Sequence, residues 1–269
     1  MREFGPLAFG LDPSGELLVE WGLGDTPDGL ERFVDIVVEA AMGTVGVVKP
    51  QAAFYERHGW QGIRSLARLI DACRHAGVLV LLDAKRGDVG STNEAYAEAY
   101  LGPEAPIPVD ALTVTPYLGL AAMQPVLDRA VANGAGIFIV TRSSNAEGRS
   151  IQGARHADAT TVEHRLISDI AAENGRVAPG RLGPIGAVFG PTHGPPTEFD
   201  LTHMNGLFLA PGVGAQGATP ADVAACFASC PDRVLPAASR SLLAAGPDPS
   251  HLSDAIGRLA DELRRLLGP

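Results

Sequence analysis

The chain has 269 residues, 46% of them hydrophobic and 19% charged, which excludes a disordered or fibrous polymer and supplies enough apolar side chains for a sizeable core. A formal net charge of −10 argues against nucleic acid as a partner, because sequence-independent binding neutralises phosphates with clustered Lys and Arg. A small anionic substrate held by a few local cations stays compatible with that charge. Cys73, Cys226 and Cys230 are an odd number without metal-ligand spacing and read as reduced thiols. The opening MREFGPLAFGLDPSGE breaks the apolar core that a signal peptide needs, and no apolar run approaches the roughly 18 residues of a membrane span. The expectation is a soluble cytoplasmic protein with no membrane partner.

Eight short runs rich in Val, Ile, Leu and Phe end in polar, Gly or Pro residues, the pattern of strands buried on both faces. They fall at 7–12, 44–49, 78–85, 111–116, 136–142, 186–190, 207–212 and 234–240. Helical periodicity separates several of them, at 30–42, 62–76 and 120–133, and SDAIGRLADELRRLL within 250–267 closes the chain as an amphipathic helix. The stretch 191–204, PTHGPPTEFDLTHM, reads as loop with at most one helical turn. Eight β units, each followed by helix or loop, predict an α/β fold: a (β/α)8 barrel forming a single domain over 1–269. The irregular stretches 143–160 and 191–204 follow the carboxyl ends of strands five and six, where barrels build their sites, and are candidate lids or substrate loops.

Of the 21 Lys and Arg residues only Lys49 and Lys85 are lysines. Both fall at carboxyl ends of predicted strands, on the functional face of the proposed barrel. In the segment LLDAKRGDVGSTNEAY at 81–96, Asp83 and Lys85 point the same way on an extended strand, and Asp88 follows on the loop. A carboxylate beside an ammonium holds it charged and aimed, and a second lysine makes that balance adjustable. Such a group suits proton transfer at carbon or stabilisation of a carbanion. A lone Asp–Lys pair is more often a structural ion pair at a barrel rim, but two lysines and two aspartates converge here. Farther on, LFLAPGVGAQG at 207–217 passes from strand to glycine-rich loop, whose N–H groups suit an anion, and Ser239-Arg240-Ser241 ends strand eight beside it. Together they read as a phosphate clamp with Arg240 as the bidentate cation.

With these residues the chain resembles the orotidine 5′-phosphate decarboxylase family, in particular its longer bacterial form (type 2). The likeness runs through FGLDPS at 9–14, VVKPQAAFYERHG at 47–59, LLDAKRGDVGSTNEAY at 81–96, TVTPYLG at 113–119, TRSSNAEG at 141–148, APGVGAQGAT at 210–219 and SRS at 239–241. DAKRGD with a separate upstream VKP is its most specific part. The resemblance implies a charged tetrad of Lys49, Asp83, Lys85 and Asp88, with Lys85 protonating C6 of the pyrimidine as carbon dioxide leaves. It implies a homodimer in which Asp88 and Thr92 complete the neighbouring site, with Val89 giving apolar contact near the base. Asp12 corresponds to the ribose hydroxyl acceptor, Ser144 to the pyrimidine contact, and Gln216 with Arg240 to the phosphate grip, with Pro211, Gly214 and Ser239 beside them. No metal or organic cofactor is implied. Val89-Gly90 stands where many short-form members carry Ile-Pro, and the loop after strand five is longer than theirs. His193, His203, Arg149 and the stretch 153–156 receive no role.

Three further readings compete. A sugar-phosphate decarboxylase of the same superfamily keeps the DxKxxD pattern and phosphate loop but uses Mg2+ and a glutamate where this chain has Lys49, and an ammonium there opposes a divalent cation. A Schiff-base aldolase needs a lysine with depressed pKa, whereas two aspartates flank Lys85. From another class, a catalytically silent nucleotide-phosphate binding barrel would be expected to have lost a tetrad member, and all four are present.

Overall fold

The computed structural model describes residues 4–268. Each of the eight apolar runs is a strand: β1 (Ala8–Leu11), β2 (Val47–Pro50), β3 (Leu79–Arg86), β4 (Ala111–Val114), β5 (Gly136–Arg142), β6 (Ile185–Phe189), β7 (Phe208–Pro211) and β8 (Val234–Ala238). They follow one another in sequence order around a closed barrel, with parallel pairing. This is the (β/α)8 fold. The α-helices are α1 (Gly15–Glu20), α2 (Pro27–Ala41), α3 (Ala52–Glu56), α4 (Gly59–His75), α5 (Gly90–Tyr100), α6 (Gln124–Ala132), α7 (Arg149–Gln152), α8 (Val162–Val177), α9 (Pro220–Cys226), α10 (Arg240–Leu243) and α11 (Pro249–Leu267). Among the described residues no helix is long and apolar enough to cross a membrane.

Contact density divides the chain into two compact units, one of residues 1–84 with 237–269 and one of residues 85–236. In the first, α2 begins three residues before the periodicity suggested, because Thr26 accepts from Gly29 N–H at 3.1 Å and Pro27 opens the first turn. Its buried stripe of Leu30, Phe33, Val34 and Val37 follows i, i+3, i+4, i+7 spacing. α11 starts from an Asp248 cap and buries Leu252, Ile256, Ala260, Leu263 and Leu267; Ser253 Oγ donates to Ala40 O at 2.9 Å and ties it to α2. β1 pairs with β2 and with the end of β8, Phe9 opposite Ala238.

In the second unit, β5 and β6 pack against α8, whose fully buried Asn174 accepts from Ile185 N–H and donates to Ile185 O at 2.7 Å. Phe189, Phe208 and Phe227 meet edge-on or tilted at centroid distances of 5.3 to 6.1 Å beneath β6 and β7. The loop at 191–204 holds two single 3-10 turns, Pro191–His193 and Leu201–Met204, where one at most was expected. Pro191 starts the first, and Asp200 caps the second by accepting from Thr202 N–H at 2.9 Å. The 120–133 helix likewise opens with a 3-10 turn, Leu120–Met123, before α6.

Candidate active site

In the first unit, β2 and β3 carry Lys49 and Asp83, 6% and 7% exposed, with Nζ and Oδ2 3.0 Å apart. Burial pushes the Lys49 ammonium towards its neutral form, yet Asp83 and Asp12 outweigh it and hold its pKa above 10.5. Asp12, just past β1, keeps a buried Oδ1, and Ser239 in the same unit a buried Oγ, neither with a hydrogen-bond partner among the described residues. Orphaned polar atoms of this kind are costly unless a ligand or water satisfies them. Tyr55 is fully buried and donates to Leu11 O at 3.4 Å; burial first, and the Asp12 charge second, push its hydroxyl well above the usual tyrosine range. Gly10 lies so close to the end of β8 that a Cβ there would stand 2.5 Å from Ser239 Cβ. Arg240 opens α10 exposed, and its side chain makes no ion pair or hydrogen bond among the described residues.

In the second unit, Lys85 is exposed with φ +48, a left-handed backbone that is unusual and strained for a residue of its kind. The simple alternation expected from Asp83 to Lys85 therefore stops at Lys85. Its N–H donates to Thr113 Oγ1 at 2.9 Å, and Thr115 N–H donates to Arg86 O, which anchors this turn to β4 and the residue after it. Asp88, Val89 and Thr92 follow at the entry to α5; Val89 is 54% exposed and Thr92 is exposed. Asn93, which the sequence did not single out, is fully buried beneath them. Its Oδ1 accepts from Asp88 N–H at 3.0 Å, while its Nδ2 donates to Asp88 O and to Ala122 O.

The loop after β7 is also in this unit. Ser144 Oγ donates to Gln216 Oε1 at 2.7 Å, so the segment after β5 and the glycine loop meet there. Gly212 has φ +96, and a Cβ on it would lie 2.9 Å from Gln216 Oε1 and 3.4 Å from Ser144 Cβ. The loop's anion-binding capacity is narrower than its glycine count suggests: the N–H groups of Gly214, Gly217 and Ala218 close bonds within the loop. Those of Ala215 and Gln216 make none among the described residues. Pro211 ends β7, and Gly214 holds the turn at φ +81. His203 is exposed near Asp200, and His193 lies on the loop after β6.

A closed (β/α)8 barrel with charged groups and glycine turns at the carboxyl ends of its strands belongs to the class of barrel that builds enzyme sites on that face. The comparisons make the class particular. Residues 5–255 match the model of the orotidine 5′-phosphate decarboxylase / HUMPS family, and the chain belongs to that family. The orotidine 5′-phosphate decarboxylase of Salinispora arenicola is 50% identical over 267 residues, covering 99% of this chain and 95% of that one. The Streptomyces coelicolor enzyme of the same name is 48% identical, covering 98% and 94%. A crystal structure from Streptomyces avermitilis, provisionally named as the same enzyme, superposes with a TM-score of 0.95 at 45% identity, covering 100% of this chain and 93% of that one.

Proposed function

We propose that this chain converts orotidine 5′-phosphate to UMP and carbon dioxide in pyrimidine biosynthesis, without a metal or organic cofactor. The observation that carries this reading is the buried Lys49–Asp83 pair in a chain that aligns end to end with decarboxylases of that name. An ammonium at position 49 disfavours the Mg2+-dependent sugar-phosphate alternative, because it repels a divalent cation.

The chemistry is the breaking of the bond from C6 to the carboxylate. The electron pair stays on C6, in the ring plane and without delocalisation into the π system, and a fixed ammonium beside it stabilises it. Lys85 is that ammonium and general acid: it gives its proton to C6, and solvent returns one to the amine. Lys49, Asp83 and Asp88 are the other members of the charged tetrad to which this reading assigns it. Asp12, with its orphaned Oδ1, accepts from a ribose hydroxyl, and Ser144 contacts the pyrimidine. Gln216, Arg240 and Ser239 grip the phosphate beside Pro211 and Gly214. Grip on the remote phosphate supplies binding energy that positions C6.

The same reading makes the working unit a cytoplasmic homodimer, one catalytic domain per chain. Asp88 and Thr92, at the exposed entry to α5, serve the neighbouring subunit's site, and Val89 covers the base. The test is loss of orotidine 5′-phosphate absorbance with purified protein, with and without EDTA. Conversion to UMP unaffected by EDTA supports the cofactor-free reaction. EDTA-sensitive turnover moves the chain to the magnesium branch, and a folded dimer that binds UMP without turnover is a silent binding barrel.

A further inference from the structure

Within the unit of residues 85–236, the loops after β5 and β6 enclose a cavity of about 300 Å³ that shares no residue with the site described above. Its charged lining is Arg142, Arg149, Arg155, Glu163 and Glu198, with His193 beside them. Arg142 and Glu163 are each 4% exposed and meet as a fork, Nε to Oε2 and Nη2 to Oε1 both 2.7 Å. Arg142 Nη1 donates to Gly194 O at 3.0 Å, and its guanidinium lies 4.1 Å from the Phe189 ring centroid, so this group is fixed. Arg149 reaches the same carboxylate with one nitrogen at 3.0 Å, and Arg155 forks onto Glu198 at 3.0 and 2.5 Å.

Three guanidiniums thus meet two carboxylates, leaving one positive charge uncompensated in a chain whose net charge is −10. Thr161, which also lines the cavity, caps α8, whose first turn adds a partial positive charge. A guanidinium has five N–H donors. Arg149 uses one nitrogen on Glu163, and the rest of its fork makes no bond among the described residues. Pro195, Pro196 and Phe199 supply an apolar wall, and Phe199 is held by stacking on His164 at 4.7 Å.

We propose that this cavity is a second anion site that takes a small phosphate-bearing ligand on Arg149 and Arg155. Phosphate fits better than a carboxylate because its additional oxygens accept from both guanidiniums while each keeps its glutamate, Arg149 through the donors outside its single bond to Glu163 and Arg155 through those outside its bonds to Glu198 and Ala159 O. The apolar wall accommodates the organic part of a monoester. Occupancy would reach Ser144, since Arg142 precedes it by two residues and Thr192 Oγ1, on the opposite loop, donates to Ser144 O at 2.9 Å.

Equilibrium dialysis of the full chain with radiolabelled inorganic phosphate tests this. The expected result is two phosphates per chain, one of which weakens by at least about tenfold in the double variant R149Q/R155Q and the other in R240Q. T197E adds a carboxylate at the exposed rim without touching an ion pair, and is expected to weaken the same phosphate as the double variant even if that variant folds poorly. A single phosphate lost only in R240Q overturns the proposal, as does a second phosphate indifferent to both R149Q/R155Q and T197E. Succinate competing as strongly as phosphate overturns the choice of ligand class. Should R240Q release nothing, the phosphate grip of the proposed reaction fails while the second site stands on the other variants.

Discussion

Lys49 and Asp83 are buried against each other at 3.0 Å, so removing either takes a close counter-charge from a buried group. Lys49→Met is expected to destabilise the protein by about 3–5 kcal/mol, the usual cost of breaking a buried ion pair from one side. The Lys49 pKa is raised in the folded protein, so its contribution is complete below the unfolded value of 10.5 and is lost only as pH rises through the folded one. The deficit of the variant, read from urea melts, should therefore be flat across about pH 6 to 9. Asn93 works through backbone rather than charge. It holds both the N–H and the C=O of Asp88, and Asn93→Ala should cost about 1–3 kcal/mol through unsatisfied buried groups. If the proposed role of Asp88 is right, kcat falls with it more than binding of UMP does. Unchanged kcat with only a lowered Tm would reduce Asn93 to a structural residue.

At the scale of elements, the strands were legible because a strand buried on both faces reads as a near-continuous apolar run, as 78–85 and 136–142 do up to their polar carboxyl ends. Boundaries were less so. α2 starts at Pro27, where the signal is a cap and not periodicity, and α8 mixes Glu163 and Asn174 into its buried face, which blurs the apolar stripe. Glu163 buries its carboxylate at the first turn of that helix. Burial pushes its pKa up, but hydrogen bonds and charge from Arg142 and Arg149 more than reverse this, holding it below 4.5. A depressed carboxylate contributes stability that is present above the unfolded value and lost as pH falls through the folded one. Wild-type melts should fall on acidification below about pH 4.5, and Glu163→Gln should flatten that part of the profile while lowering stability at neutral pH. Identical acid limbs would assign the loss to other carboxylates. This cluster was invisible in the sequence because Arg142 and Glu163 lie 21 positions apart and 19 of the cations are arginines.

For the whole molecule, eight β units in sequence suffice to anticipate a closed barrel, and the glycine loop and DAKRGD segment carry the residues assigned to the proposed chemistry. What the order of residues did not carry is backbone geometry: the left-handed turn at Lys85 and the loop bonds that occupy most N–H groups near Gly214 depend on contacts made only in the fold. Assembly is tested with two inactive chains. Lys85→Ala and Asp88→Ala, each expected to release no carbon dioxide, should regain part of the activity when mixed, since a hybrid dimer holds one site free of both changes. No recovery despite proven subunit exchange argues against a shared site.

The scarcity of lysine has a practical side. With Lys49 sealed in its ion pair and Lys85 exposed, amine-directed reagents meet a single accessible side-chain target in the entire sequence. Mild acylation followed by peptide mass mapping should therefore mark Lys85 nearly alone apart from any free terminal amine. Turnover should decline in step with that one modification, and saturating UMP should shield it. The chain in effect carries a built-in, stoichiometric reporter for counting competent sites in a preparation.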